Sequence, residues 1–368
     1  MIARLQSSLG IILLVLLPFP ALARDLDSIL ADVISNDEST RGQAEVLLSA
    51  RMPSVAHDLF DRVIAADDPR VRAGAARAIG NLSSEMATAG SAVDSAVVVL
   101  RTGLRDPESR VRSESAVSLG AFKGRASEAV HDLVPLLGDA ACAWATLTAL
   151  AAIRVQSDEA VPAVLALMDS DDDLIREQAA LAIGVVSRQA HHSTIIPRLA
   201  GSLTDRMSTV QLAAASSLAH LVPPAIDALI AALDSPASCH AALFGLRQVG
   251  RPAVAAAVRL NHLLETESDA STIVTVAATL FATTGDSSRA LPALTEVLHD
   301  GAPGHRANAA IAIGDMEVHG RAATGALLRA AHDAEPQVRL QAIRALTRLG
   351  QRSADVVDIL TQALDDQD

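Results

Sequence analysis

Tyrosine is absent from this sequence, tryptophan occurs once (Trp144), and phenylalanine only five times in 368 residues. Half of the residues are nonetheless apolar. A large globular core ordinarily takes its bulk from aromatic rings. A core of Ala, Leu, Val and Ile suits thin helices that approach one another closely instead. Lysine is also nearly missing: Lys123 stands alone, and arginine carries the remaining positive charge. The formal net charge is −13. Nucleic-acid binding draws its affinity from basic groups on phosphates and from aromatic stacking platforms. An acidic chain poor in aromatics offers neither, so nucleic acid is excluded as a partner.

Long apolar runs are scarce as well. The stretch Gly10–Leu17 is the candidate, and it falls far short of the ~20 residues that span a bilayer. Arg4 precedes it and the small-residue site Ala21-Leu22-Ala23 follows. That pattern reads as a signal peptide over residues 1–23. Cleavage after Ala23 leaves residues 24–368 as one continuous array, exported to the periplasm or beyond, with no membrane span. An uncleaved anchor is the alternative.

What the sequence has is repetition, the feature to seek first in a chain of this composition. Asp67-Asp68-Pro69-Arg70-Val71-Arg72, followed by Ala-Ala-Arg-Ala-Ile-Gly, returns as Asp106-Pro107-Glu108-Ser109-Arg110-Val111-Arg112 with Ala-Val-Ser-Leu-Gly. It returns again around Ile175-Arg176 and Val338-Arg339. The Val71 position is held in turn by Thr40, Val71, Val111, Cys142, Ile175, Val210, Ser238, Thr272, His305 and Val338, a spacing of about 33 residues. Ten units result, with residues 354–364 as a half-unit. Each reads as two helices. The first carries apolar residues at helical spacing, as in Val130, Leu133, Val134 and Leu137. Asp and Pro mark the turn, since Asp caps the next helix and Pro fits its first turn. One such hairpin cannot bury its apolar face alone and must stack on its neighbours. The fold predicted is all-α, an α-solenoid of about ten two-helix units.

The pattern Asp-x-x-x-Val-Arg-x-x-Ala-x-x-Ala-Leu/Ile-Gly resembles HEAT repeats, in particular the short group named after phycobilisome bilin lyases. The resemblance implies that turn aspartates pair with the Val-Arg arginines of adjacent units. By position it assigns that role to Asp68, Asp172, Arg72, Arg112, Arg176, Arg306 and Arg339. Units 4, 6, 7 and 8 depart, with Cys142-Ala143, Val210-Gln211, Ser238-Cys239 and Thr272-Ile273, so the ladder should break in the middle.

Enzymatic chemistry finds little to stand on. Deoxyhypusine hydroxylase, similar in fold, holds two irons with His-Glu dipeptides just after the Val-Arg position. This chain has no His-Glu dipeptide. Its four His-Asp dipeptides, at His57, His131, His299 and His332, fall on first helices of dispersed units, so no metal site is expected. His191-His192 reads as a solvated loop. No nucleophile elbow, phosphate loop or zinc-protease helix occurs. Cys142 and Cys239 lie three units apart, roughly 25–30 Å at helix spacings of ~8–10 Å, whereas a disulfide needs Cα atoms within ~7 Å. Free thiols are expected. No catalytic residue, cofactor or metal is assigned. The expected function is a non-catalytic scaffold for a protein or peptide partner. An accessory or catalytic subunit of a lyase or hydroxylase type is the alternative.

In HEAT-like solenoids the second helices line the concave face. Positions two and six after the Val71 position should look outward, and through the middle of the chain they are apolar: Trp144, Leu181, Leu212, Phe244, Val274 and Ile311. Either these six form a hydrophobic groove for a partner, or tight curvature of Ala-rich repeats buries them between neighbouring helices.

Overall fold

A computed structural model describes residues 25–51, 56–83, 90–350 and 354–362. The proposed leader, residues 1–23, lies outside them. Among the described residues all regular structure is helical. Unit 1 is α1 (Leu26–Val33) and α2 (Glu38–Arg51), unit 2 is α3 (Ala56–Ala65) and α4 (Pro69–Asn81), and unit 3 is α5 (Gly90–Gly103) and α6 (Ser109–Ala121). In unit 4 the first helix is broken into 3-10 turns at Lys123–Ala129 and Val134–Gly138 around α7 (Val130–Leu133), ahead of α8 (Ala143–Ile153). Unit 5 is α9 (Ala160–Leu167) and α10 (Asp173–Val186), and unit 6 is α11 (His192–Ser202) and α12 (Ser208–His220). Unit 7 runs through α13 (Ile226–Ala231) and a 3-10 turn at Ala232–Asp234 to α14 (Pro236–Val249). Unit 8 opens in 3-10 form at Arg251–Ala256 before α15 (Ala257–Thr266) and α16 (Ala270–Thr284). Unit 9 is α17 (Ala290–Asp300) and α18 (Pro303–Asp315). Unit 10 is a 3-10 stretch at Glu317–Ala323, α19 (Thr324–Ala330) and α20 (Pro336–Arg348), followed by the half-unit α21 (Ala354–Gln362). The fold is therefore an all-α solenoid. Pro135 and Pro252, which lack a backbone N–H, stand in two of these 3-10 stretches, Val134–Gly138 and Arg251–Ala256.

Contacts divide the chain into two compact blocks, residues 1–195 and 196–368. In the N-terminal block the core is aliphatic: Leu30, Leu100, Leu119, Leu133, Leu150 and Ile183 are all but fully buried. In the C-terminal block Leu294, Leu298, Ile313, Leu327 and Leu346 build a continuous cluster with the alanines of α18 and α20. The glycine of the Ala-Ile-Gly signature explains why the second helices sit so close. A Cβ on Gly120 would lie 3.1 Å from the Ala149 backbone of the next unit, and one on Gly314 would lie 2.9 Å from Ala345. Any larger residue there pushes the helices apart and opens the core behind them.

The first unit departs from the expected order. α1 lies directly against α4, with the carbonyl of Leu30 where a Cβ on Gly74 would be. Arg77 donates to Val33 O at 3.2 Å, and Arg110 donates to Ile34 O. A helix read as the outer member of its hairpin thus fills a place in the row of second helices.

Candidate functional site

The turns carry the most regular chemistry. Arg72 donates from Nε and Nη2 to Asp106 of the next unit at 2.7 and 3.0 Å. Arg112 reaches Asp139 at 2.6 Å, and Arg306 holds Asp333 at 2.9 and 2.6 Å. The arginine-to-next-unit ladder exists, but its acceptors are not those assigned from the sequence. Asp68 and Asp172 accept backbone N–H groups of their own helices, from Arg70 at 2.8 Å and Leu174 at 2.9 Å. The acceptors are the aspartates that open each turn. One Asp106 oxygen also takes the Glu108 N–H at 2.9 Å, closing the loop in the manner of an Asx turn. Burial opposes ionisation of Asp106, but the Arg72 guanidinium and the Glu108 N–H outweigh it and hold the carboxyl below its ordinary range. Asp139 and Asp333 are held low chiefly by their arginines.

Each ladder arginine has a second task, which the repeat pattern alone did not reveal. It donates back to carbonyls five and six residues upstream: Arg72 to Ala66 O and Asp67 O, Arg112 to Asp106 O and Pro107 O, Arg176 to Ser170 O and Asp171 O. Arg339 does the same to Asp333 O and Ala334 O. These carbonyls belong to the turn itself, past the ends of the first helices at Ala65, Gly103, Leu167 and Ala330, so no N–H within those helices serves them. In the departing units other side chains take over part of this work. Gln211 donates to Asp205 O and the Ser238 hydroxyl to Ala232 O, both at 2.7 Å. Arg176 also pairs within its own turn, with Asp173 at 2.7 Å.

The proposed groove residues fall in both blocks. In the N-terminal block Trp144 on α8 is 44% exposed, and Leu181 on α10 is half-buried. In the C-terminal block Leu212 on α12 is half-buried, while Phe244 on α14 and Ile311 on α18 are each 37% exposed. Val274 is a correction. It is 8% exposed and belongs to the apolar cluster with Leu294 and Ile313, so it offers nothing to a partner. The position two after Val71 is buried also in Ala73 and Ala307, whereas the position six after stays at least partly open in every unit with a second helix from α4 to α20.

Two charged bridges on this face went unread in the sequence. Arg77 clamps Glu114 of the next unit at 2.9 and 2.8 Å. Asp315 accepts Arg348 at 2.5 Å and Arg247 at 3.4 Å. Aligning the columns nine and ten residues after the Val71 position would have brought Arg247, Asp315 and Arg348 together.

Candidate catalytic chemistry remains sparse. A cavity of about 270 Å³ between units 7 and 8 is lined in part by Asp234, Cys239, His240, Arg259, Glu267 and Thr272. Arg259 is engaged by Asp234 at 2.6 Å and by His262 at 2.8 Å. Burial, with Glu267 nearby, pushes the Cys239 thiol up, which leaves it protonated rather than nucleophilic. Cys142 is buried, likewise pushed up by burial, and lies 3.5 Å from the Ser113 hydroxyl. Both cysteines are free. Among the described residues no three His, Cys, Asp or Glu side chains converge as a metal site would require. His131 contacts Glu159 at 3.0 Å, His299 its neighbour Asp300 at 2.6 Å, and His191 Asp158 at 3.1 Å, all on the first-helix side.

The sequence pattern of the HEAT-repeat family matches residues 56–154 and 291–368. Those two stretches carry HEAT repeats. The matched stretches are those holding the Arg72, Arg112 and Arg306 pairs, and the unmatched middle holds the substituted turns of units 6, 7 and 8. Comparison with curated proteins gives no match. Among solved structures, an importin beta is similar over 94% of this chain and 54% of its own, with 16% identity and a TM-score of 0.55. Yeast importin-beta (Kap95p) is similar over 95% and 56%, with 14% identity and a TM-score of 0.60. The chain thus spans about half the length of those structures, and at such identity the likeness is one of fold. Among the described residues no helix is long and apolar enough to cross a membrane.

Proposed function

We propose that this chain is an exported, non-catalytic scaffold that binds a protein partner through the exposed face of its second helices. The observation that carries the reading is the exposure of Trp144, Phe244 and Ile311 at outward positions of that row. An aromatic ring held open to water on a rigid helix is the kind of anchor that dominates protein interfaces, and HEAT-type rows present such surfaces as a matter of architecture. Leu181 accompanies Trp144 in the N-terminal block, and Leu212 accompanies Phe244 and Ile311 in the C-terminal block. Export rests on Arg4, Gly10–Leu17 and Ala21-Leu22-Ala23. The Asp and Val-Arg spacing supports the short, bilin-lyase-like type of repeat, whose shared residues do packing work and carry no activity with them.

Site-specific photo-cross-linking tests the binding face. A cross-linkable phenylalanine analogue at Phe244 or at Trp144 should capture a discrete partner in the native envelope. The same group at Val258, exposed on the first helix α15, should not. Capture from Val258 alone would contradict the reading. Mass spectrometry of the purified protein should find the N-terminus at Arg24, and recovery of the intact Met1 form would remove the export claim.

A further inference from the structure

In the C-terminal block, Arg247 and Asp315 belong to units 7 and 9, so their contact passes over unit 8. Packed helices stand ~8–10 Å apart. Next-but-one helices in a straight row would stand ~16–20 Å apart, beyond the reach of an arginine and an aspartate. α16 touches both α14 and α18, so the three C-terminal ends converge over it. One helical turn back from Arg247, Asp315 and Arg348, and hence on the same faces, stand Phe244, Ile311 and Arg344, all exposed. The equivalent positions of α16 hold only Ala278 and Ala282, both half-buried. The result is a hollow with an alanine floor and walls of Phe244 and Ile311, closed at one end by the Arg247–Asp315–Arg348 strap. Leu340, two turns back from Arg348 and 41% exposed, prolongs the apolar strip.

The charge of this hollow runs against that of the chain. Three arginines face one aspartate here, in a protein of net charge −13. Arg247 and Arg348 are both about half exposed, and each guanidinium carries five N–H donors, of which these contacts to Asp315 use one apiece. A carboxylate arriving at the strap would find donors already oriented by Asp315.

We propose that this hollow binds an acidic peptide segment of a partner protein. A bulky apolar side chain seats between Phe244 and Ile311 over Ala278, and a neighbouring Asp or Glu is held by Arg247, Arg348 and Arg344. The proposal rests on the scaffold reading above and names the chemistry of the partner. The spread of Phe244, Ile311 and Leu340 over α14, α18 and α20 suits an extended or helical peptide rather than a small ligand.

The test is to pan the purified chain against a random twelve-residue peptide library on phage and measure synthetic copies of the selected peptides by fluorescence anisotropy. The selected sequences should combine large apolar residues with Asp or Glu. Binding should weaken at least tenfold with Phe244→Ser and with the double change Arg247→Glu and Arg348→Glu. Peptides whose acidic residues are replaced by arginine should bind the double variant better than the natural chain, a compensation that damaged folding cannot produce. No enrichment, selected peptides without acidic residues, or binding indifferent to all three changes would overturn the proposal. Self-association that disappears in the double variant would also overturn it, in favour of a second copy as occupant. Peptides lost only with Trp144→Ala would overturn this inference and leave the scaffold reading intact, whereas failure of cross-linking from both Phe244 and Trp144 would remove the scaffold reading itself.

Discussion

Units 2, 3 and 9 tie each turn both to itself and to the next unit; units 6 and 7 are seen to tie the turn mainly to itself. In the first group an arginine closes its own turn and also grips the next unit's opening aspartate. In the second, Gln211 and Ser238 reach the same carbonyls but carry no charge across. The difference separates two jobs that the Val-Arg signature performs at once. Closing the turn requires only a donor of the right length. Fixing one hairpin against the next requires a planar cation with donors to spare. The cavity beside Cys239 lies between units 7 and 8, at one of the junctions without that cation.

Breaking one contact of each kind should show the gap in magnitude. Arg72→Ala strands the largely buried Asp106 carboxylate and should cost about 3 kcal/mol, the low end for a buried pair because its edge stays wet. Gln211→Ala or Ser238→Ala removes one hydrogen bond to a carbonyl and should cost about 1 kcal/mol. Denaturant titration with equal slopes for all three variants reads the order. Equal losses would erase the distinction between closing a turn and coupling two units.

Acid should sharpen the same contrast. Asp106, Asp139 and Asp333 are held below the ordinary carboxylate range in the folded chain. Their contribution is therefore complete above the unfolded value, near pH ~3.9, and is lost as pH falls through the depressed folded values. Melting temperature should stay level from neutrality to about that point and then drop. Arg306→Ala should flatten the part of the drop that Asp333 supplies. A loss of stability that begins between pH 5 and 7 would point to histidines instead.

A smaller effect concerns the chain reversals between units. Units 7 and 8 end on Gly250 and Gly285 with φ of 65° and 66°, but unit 4 ends on Arg154 with φ of 59°. A side chain at Gly285 would collide with Arg251, which donates to Thr284 O at 2.8 Å. Arg154 is exposed and pays only for its left-handed backbone, so Arg154→Gly should stabilise by about 0.5–1 kcal/mol. No change, or a loss, would mean that its side chain contributes more than its backbone costs.

The fold was legible because the repeat column around Val71 encodes burial and spacing in the same residues. Gly120 and Gly314 recur where helices touch, and Asp and Pro recur where they turn. The ladder was legible as chemistry but not as pairing: Asp68 and Asp106 look alike in a turn, and only the three-dimensional path decides which one caps and which one receives the neighbour's arginine. The outward face was half legible. A helical wheel places both the second and sixth positions outward, yet Val274 packs into the cluster with Leu294 and Ile313 while Phe244 and Ile311 stay open. α1 was misplaced because its role depends on docking against Gly74, a contact distant in sequence.

The central claim, that the open second-helix face binds a partner, is tested most directly by Trp144→Ala and Phe244→Ala read in two ways on the same samples. Partner binding should weaken by about 2–4 kcal/mol, the usual cost of truncating an interface anchor, while helical circular dichroism and the melting temperature stay close to those of the natural chain. A large drop in melting temperature for both variants, with binding per folded molecule unchanged, would contradict the claim and return both rings to the core.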